Sequence, residues 1–301
     1  MDATLQYLLD LLDLEQIDRD IFRGRSHPSV LPRVFGGQVA AQALVAVCRT
    51  VPEERQAHSL HSYFLRPGDP GHPIIYSVER IRDGRSFTTR RVVAVQQGQP
   101  IFTLSASFQD AEEGLEHQEP MPQAPDPESL PTGEELLPRY ADKFFAPEVL
   151  DLLLAARQAI DLRYVQEPAF ATAGRPREAR QQVWFRINGK LDGEADNPVA
   201  HLCLATYVSD MALLDSVLLA HGRGGWWTGD IVGASLDHAM WFHRPFRADE
   251  WILYDTDSPT SQAGRGLARG RMYTRDGRLA LSVMQEGVIR VPRRGTPPGT
   301  R

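Results

Sequence analysis

The hydrophobic positions of the chain predict two helices in its first fifty residues. Leu5, Leu8, Leu9 and Leu12 recur at helical spacing with acidic residues between them, which predicts an amphipathic helix at the N-terminus. The segment GGQVAAQALVAVCRTV, residues 36–51, is apolar or small on nearly every side. Because such a helix has no face suited to water, we expect it to be buried.

Alternation of apolar and polar residues predicts strands after the second helix. The alternating stretches are HSLHSYFLRPGD (58–69), IIYSVERIRDGRSFTTRRVVAVQQ (74–97) and QPIFTLSASFQ (99–109). They are broken at Gly or Asp-Gly turns, as in consecutive hairpins. We therefore predict an antiparallel meander that follows one buried helix.

The same order recurs in the second half of the chain. The segment DMALLDSVLLAHG, residues 210–222, predicts a helix with Asp210 as its N-cap and Gly222 just beyond its C-terminus. Alternating stretches follow at residues 235–245, 251–257 and 264–290. An Asp-Gly turn again interrupts them, here at Asp276-Gly277.

Paired landmarks indicate that the two halves are copies of one unit. Arg66-Pro67 lies 178 residues before Arg244-Pro245, and Gln109 lies 176 residues before Gln285. The predicted organisation is an N-terminal unit with the leading helix (1–109), a linker rich in Pro and acidic residues (110–145), a C-terminal unit (146–291) and a flexible tail (292–301). Each helix can hide its apolar surface only if the sheet of its unit wraps it, which predicts an α+β fold.

Composition and charge exclude several classes of protein. Hydrophobic residues make up 42% of the 301 positions and charged residues 24%, as in packed globular proteins. A net charge of -6 argues against a broad nucleic-acid or anionic-membrane surface. No apolar run is long enough to span a membrane, and the acidic N-terminus is unlike a signal peptide. Cys48 and Cys203 stand among apolar residues, so we expect reduced thiols and a cytoplasmic location.

Five segments together resemble a known family. They are VFGGQVAAQA, SLHSYFLRPGD, LATYVSDMALL, SLDHAMWFHRPF and MQEGVIR, spread from about residue 34 to 290. As a set they resemble the acyl-CoA thioesterase II family (TesB-like), which cleaves fatty acyl-CoA. The resemblance implies a double hotdog fold, in which two tandem repeats each wrap a long helix with an antiparallel β-sheet. It implies a homodimer or homotetramer and no metal or redox cofactor.

The resemblance also implies which residues carry the chemistry. Thioester hydrolysis needs a positioned water and donors for the developing oxyanion. The family holds that water with an Asp, a hydroxyl residue and a Gln, and the matching positions are Asp210, Ser235 and Gln285. Bacterial members often carry Thr in place of this Ser, whose lost methyl group leaves its rotamer less fixed.

The side-chain chemistry of Asp210 and Gln285 indicates which of them can act as the base. Gln285 shares a strand face with the apolar Leu279, Leu281 and Val283, so its amide needs a buried partner. An amide is not a base near neutral pH, which leaves Asp210 as the base. As the N-cap of a helix, that carboxylate would stay ionised.

Two further pairs are candidates for substrate binding. Gly36 and Gly37, at the start of the first buried helix, either supply a backbone donor to the thioester oxygen or allow close packing. Arg265 and Arg269 lie in GRGLARG and either contact the phosphates of coenzyme A or form a solvated charge row.

The histidines offer competing interpretations. A catalytic triad of Ser235, His238 and Asp237 is disfavoured because neighbours on a strand point to opposite faces. A metal site built from His58, His61, His238 and His243 lacks the acid or Cys cluster that would complete it. We expect these histidines to be structural.

Two rival functions remain open. A hotdog enoyl-CoA hydratase would need an Asp and a His five positions apart, as are Asp196 and His201, although DGEADNP is typical of a loop. A non-catalytic acyl-CoA binding protein would hold ligand without turnover.

Overall fold

A single antiparallel sheet runs through both halves of the chain. The computed structural model describes residues 3–26, 32–140, 159–172, 174–224 and 230–292. Within these residues, thirteen strands belong to the sheet.

The first half begins with the two predicted helices. The elements before the main strands are α1 (Ala3–Leu12), β1 (Glu15–Asp18), β2 (Ile21–Gly24) and α2 (Gly36–Cys48). Leu5, Leu8 and Leu12 of α1 are buried, which confirms the amphipathic pattern. In α2 every residue from Gly37 to Val47 is buried, as expected for a helix that is apolar all round.

The strands of the first half differ from a simple meander. They are β3 (Gln56–Phe64), β4 (Ile74–Asp83), β5 (Phe87–Gln96) and β6 (Gln99–Gln109). Their spatial order is β4-β5-β6-β3, so β3 pairs with β6 and not with β4. The prediction of a meander was wrong at this point because residues 65–73, rich in Pro and Gly, form a connection too long for a hairpin turn.

The second half repeats this arrangement. Its main elements are β7 (Ile160–Tyr164), β8 (Arg180–Ile187), α4 (Pro198–Ser209), α5 (Asp215–Leu219), β9 (Val232–Ser235), β10 (Asp237–Phe242), β11 (Ile252–Gln262), β12 (Arg265–Thr274) and β13 (Leu279–Arg290). A short helix α3 (Gly133–Leu136) precedes them. The order β11-β12-β13-β10 matches β4-β5-β6-β3, and β9 adds to β13. The turn between β12 and β13 contains Gly277 with φ of 88°, which confirms the predicted Asp-Gly turn.

The two halves join through one strand pair. β3 and β10 are antiparallel neighbours, with Leu60 opposite Met240. Outward from β3 the strands follow in the order β6, β5, β4, and outward from β10 the equivalent strands follow as β13, β12, β11. An internal two-fold relation therefore passes between β3 and β10, and it exchanges α2 with α4. This is the double hotdog arrangement implied by the resemblance.

The main helix of the second half is not the predicted one. α4 begins after Asn197, whose side chain accepts a hydrogen bond from Ala200 N at 2.9 Å, and Pro198 follows it. Asp210 is the C-cap of α4, with φ of −86°, and not the N-cap of a helix over 210–222. The prediction was wrong because the helical spacing after Asp210 belongs to the short α5, whereas the Asn-Pro start signal was overlooked.

The two central helices lie antiparallel inside the sheet. The start of α2 meets the end of α4 so closely that a Cβ on Gly37 would overlap the carbonyl oxygen of Tyr207. Both helices contribute to one large apolar core together with the inner faces of the strands. The first glycine-rich turn of α2 is thereby held against the last turn of α4.

The segment after β6 packs along the outside of the second half. Gln118 donates to Gly277 O at 2.8 Å and accepts from Leu279 N at 3.0 Å. Trp184 Nε1 donates to Pro125 O at 2.9 Å. The end of the predicted linker (141–145), its boundary at residue 146 and the tail beyond residue 292 lie outside the described residues.

The described helices are short, and both cysteines lie on the central pair. α2 spans 13 residues, and nowhere in the described ranges is a helix long and apolar enough to cross a membrane. Cys48 and Cys203 are free thiols on α2 and α4.

Candidate active site

Asp210, Ser235 and Gln285 come together at the end of α4. Gln285 Nε2 donates to Asp210 Oδ1 at 2.8 Å and to Ser235 Oγ at 2.5 Å. Ser235 Oγ lies 3.3 Å from the same carboxylate oxygen. Gln285 is fully buried, while Asp210 and Ser235 keep part of their surface accessible. The three side chains form one connected polar cluster with an open side.

Three different elements supply these side chains. Asp210 follows the last turn of α4, and Ser235 is the last residue of β9. Gln285 points inward from β13, and the pairing of Gly287 with Ser235 aligns β9 beside it. The predicted apolar row around Gln285 is confirmed for Leu281 and Val283, which are buried on the same strand.

The N-terminus of α2 also faces the cluster. The backbone N–H of Gly37 lies near Asp210 and acts to lower the pKa of its carboxyl. A Cβ on Gly36 would lie 2.7 Å from Asp210 Oδ2, so the glycine allows the carboxylate to approach the helix end. Asp210 therefore does lie at a helix N-terminus, but this helix belongs to the first half of the chain.

Opposing effects act on the charge of Asp210. Burial raises the pKa of its carboxyl above the ordinary value of 3.8. His238, the hydrogen bonds from Gln285 and Ser235, and the nearby Gly37 N–H lower the pKa and oppose this shift. A carboxylate with a raised pKa is a stronger base than a solvated one, so it can accept a proton from water.

His238 contacts the buried side of Gln285, and Ser209 contacts the far side of the His238 ring. His238 Nδ1 lies 3.0 Å from Gln285 Oε1, and His238 Nε2 lies 2.8 Å from Ser209 Oγ. Both side chains are buried. Sequence reasoning placed His238 on the strand and missed this contact, although its two-residue spacing from the buried Met240 gives the signal.

The alternative interpretations of the histidines receive no geometric support. Asp237 Oδ1 accepts from Glu286 N at 2.6 Å and does not contact His238 through a hydrogen bond. His243 Nε2 contacts Ser282 Oγ at 2.9 Å, and His61 packs edge-on against the Trp241 ring. Among the described residues, no three His, Cys, Asp or Glu side chains are grouped as metal ligands.

Arg265 and Arg269 lie away from this cluster. On β12 they alternate with the buried Gly266 and Ala268, and Ala268 is the partner of Gln285. The two arginines therefore point to the opposite face of the sheet from Gln285. They pair there with Glu286 at 2.9 Å and Asp257 at 2.7 Å. A role toward phosphates stays a prediction that this geometry does not support.

The Asp196 and His201 pair lies at the other end of α4. His201 Nδ1 accepts from Ala248 N at 3.0 Å, so Nε2 carries the proton and donates to Asp196 at 3.1 Å. Arg247 also donates to Asp196, at 2.9 Å. Both ring nitrogens of His201 are occupied by the protein itself, as expected for a structural histidine.

Two family models match the chain. The model described as acyl-CoA thioesterase matches residues 153–288. The model described as the N-terminal domain of acyl-CoA thioesterase matches residues 25–109. Both halves of the duplicated fold are therefore covered.

Individual proteins match along nearly the whole chain. Human acyl-coenzyme A thioesterase 8 is 44% identical over 287 residues, which cover 93% of this chain and 88% of that protein. The crystal structure of acyl-CoA thioesterase II TesB2 from Mycobacterium marinum superimposes with a TM-score of 0.76 at 44% identity, covering 94% of this chain and 98% of that one. A hot dog fold protein from Alicyclobacillus acidocaldarius, at 20% identity, gives a TM-score of 0.73 over 97% of this chain and 100% of that one, and it supports the fold alone.

Proposed function

Since the chain belongs to the acyl-CoA thioesterase family, we propose that it hydrolyses fatty acyl-CoA to a free fatty acid and coenzyme A with a water held by Asp210, Ser235 and Gln285. The observation that carries this assignment is the convergence of the three side chains from α4, β9 and β13 on one open-sided cluster. A base and two hydrogen-bonding groups are what activation of a water requires.

The reaction proceeds by proton transfer and direct attack. The Asp210 carboxylate accepts a proton from the bound water as its oxygen attacks the thioester carbonyl carbon. The tetrahedral intermediate then collapses, the C–S bond breaks, and the thiolate of coenzyme A leaves and takes up a proton. Water supplies the hydroxyl of the fatty acid, so no covalent enzyme intermediate and no redox step is needed.

Ser235 and Gln285 act on the position of the water and not as bases. The Gln285 amide donates both of its hydrogens within the cluster, to Asp210 and to Ser235. These two hydrogen bonds hold the carboxylate and the hydroxyl in place before substrate arrives. Preorganised polar groups of this kind cost no reorganisation during the reaction.

The assignment is tested by thiol release from palmitoyl-CoA and from a short acyl-CoA, followed with a colorimetric thiol reagent. We expect Asp210→Asn to lower the rate by roughly 10²- to 10⁴-fold, the range for loss of a general base. Asp196→Asn is the matched control, because it changes a carboxylate at the opposite end of the same helix and should keep the rate within a few fold. Equal rates for wild type and Asp210→Asn would refute the role of Asp210.

The rival functions predict other outcomes. A hydratase would add water to crotonyl-CoA without releasing coenzyme A, and the occupied ring nitrogens of His201 argue against that use. An acyl-CoA binding protein would bind acyl-CoA saturably with no thiol release. Absence of release by the wild-type protein would therefore remove the thioesterase assignment and favour one of these two.

Assembly and location complete the proposal. Among the described strands, β1 and β7 form the two ends of the sheet, and unpaired strand edges are commonly covered by association. We expect a homodimer or homotetramer, and light scattering that gives the monomer mass of 33.7 kDa would contradict it. The two free thiols favour the cytoplasm.

A further inference from the structure

A buried imidazole and a buried hydroxyl lie directly behind the catalytic amide. His238 and Ser209 are 1% and 0% exposed, so neither can touch substrate or bulk water. His238 bridges Gln285 Oε1 at 3.0 Å and Ser209 Oγ at 2.8 Å. The proposed reaction uses neither residue. Burial of two polar side chains therefore calls for an explanation other than direct catalysis.

Donor and acceptor rules fix the direction of each hydrogen bond. An ionised Asp210 can only accept, so the amide nitrogen of Gln285 must face it and Oε1 must face His238. Oε1 also only accepts, and His238 must therefore present an N–H at Nδ1. In a neutral ring Nε2 is then an acceptor, and it must take the single hydroxyl hydrogen of Ser209, for which Thr206 O at 2.8 Å is the competing acceptor.

The reverse orientation of the amide would disable the base. If Gln285 rotated by half a turn, Oε1 would face Asp210 Oδ1 across the present 2.8 Å contact. Two acceptors at that distance repel unless Asp210 is protonated, and a protonated Asp210 cannot accept a proton from water. A donor at Nδ1 of His238 favours the productive orientation over this one.

We propose that His238, held in its Nδ1–H form by Ser209, is a positioning residue that fixes the amide orientation of Gln285 and thereby keeps Asp210 ionised. The inference rests on the proposed function, because it concerns the same base. It assigns a purpose to two residues that lie outside the water-binding cluster.

The surroundings favour a neutral imidazole in this role. Burial lowers the pKa of His238, so its ring carries one N–H near neutral pH. The other titratable groups that act on the pair are Asp237 on β10, Tyr207 on α4 and Tyr254 on β11. Burial raises the pKa of both tyrosines, which keeps them uncharged. The first turn of α2 faces Asp210 with the Gly37 N–H and no charge.

The test compares His238→Leu with His238→Asn. The side-chain nitrogen of Asn can occupy the place of Nδ1 and donate to Gln285, whereas Leu donates nothing. We expect His238→Leu to lower kcat about tenfold or more with little change in KM. We expect its pH–rate profile to lose activity at higher pH than the wild type, because Asp210 becomes easier to protonate. His238→Asn should recover most of kcat. It should also restore the wild-type acid limb, which is the part of the pH–rate profile where activity falls as the pH decreases.

Two further variants keep the outcome interpretable. Ser209→Ala removes the hydroxyl that holds the ring and should shift the acid limb in the same direction by less, even if His238→Leu folds poorly. His61→Leu, an exposed histidine on the neighbouring β3, is the matched control and should change nothing.

The possible failures are distinguishable. If wild type hydrolyses acyl-CoA and Asp210→Asn does not, but Ser209→Ala and a folded His238→Leu keep the wild-type acid limb, the positioning role is wrong and the proposed function stands. If His238→Asn shifts the limb as far as His238→Leu, the ring acts through its charge and the amide-orientation argument is overturned. If wild type releases no thiol, the proposed function itself fails.

Discussion

Gly36 faces Asp210 so closely that a Cβ at position 36 would lie 2.7 Å from the carboxylate Oδ2 and 3.0 Å from the Phe64 ring. Gly36→Ala therefore should displace the Asp210 carboxylate, the proposed base, while α2, which tolerates Ala, stays formed. We expect kcat to fall roughly 10²-fold, as for misplacement of a reacting group by about an ångström. Steady-state kinetics beside a melting curve will check this, with Gly114→Ala as the control because a Cβ there meets no atom within 4 Å. Unchanged kcat would show that the carboxylate can move without penalty.

Gly37→Ala should act on stability. Its Cβ would overlap the backbone carbonyl of Tyr207, and neither helix can relieve this by a side-chain rotation. We expect a loss of about 3 kcal/mol, at the upper end for overpacking, and a fall in Tm of about 5 °C. Thermal unfolding followed by circular dichroism measures it. A variant as stable as Gly114→Ala would mean that α2 and α4 are not held at this distance.

Ser235 should tolerate Thr but not Ala. Thr keeps the hydroxyl that accepts from Gln285 and donates toward Asp210, whereas Ala leaves a buried amide hydrogen without a partner. We expect Ser235→Thr to stay within about threefold of wild type and Ser235→Ala to lose about tenfold in kcat, the size of one hydrogen bond. Thiol-release kinetics on both variants decide the matter, and equal rates for the two would remove the hydroxyl from the mechanism.

The pH dependence of kcat should report the buried base. Because burial raises the pKa of Asp210 above 3.8, the base becomes protonated, and activity is lost, at a higher pH than for a solvated aspartate. Activity is thus fully present above the raised pKa and falls as pH decreases through it. Chromatographic measurement of released coenzyme A at saturating substrate avoids the pH dependence of thiol reagents. An acid limb centred at or below 3.8 would contradict a buried, ionising Asp210.

Local patterns were sufficient for much of the fold. The leucine spacing of α1 and the all-apolar α2 were confirmed, and so were the alternating strands with their Asp-Gly turn. The spatial position of β3 could not be read from its own residues, since it depends on a partner strand, β10, that lies 178 residues further along the chain. Pairing over that distance leaves no local signature.

For the candidate site, the sequence identified the residues but not the elements that surround them. The motifs identify Asp210, Ser235 and Gln285, but the predicted helix start at Asp210 is wrong, because α4 ends there. The helix end that does face the carboxylate comes from α2, and only the folded chain brings the two together. The start signal of α4, Asn197 followed by Pro198, was available in the sequence.

The internal two-fold between β3 and β10 has an evolutionary consequence. Two identical ancestral chains paired in this way would have carried two equal sites, one at each end of the helix pair. In the present chain, strand pairing puts Leu60 and Ala106 at the positions that correspond to His238 and Gln285, so the predicted correspondence of Gln109 with Gln285 was wrong and the first half has no amide or imidazole there. Gene fusion would thus have released one copy from selection for chemistry. If the proposed mechanism holds, selection acts on Leu60 and Ala106 through folding alone, and on His238 and Gln285 through the reaction rate as well.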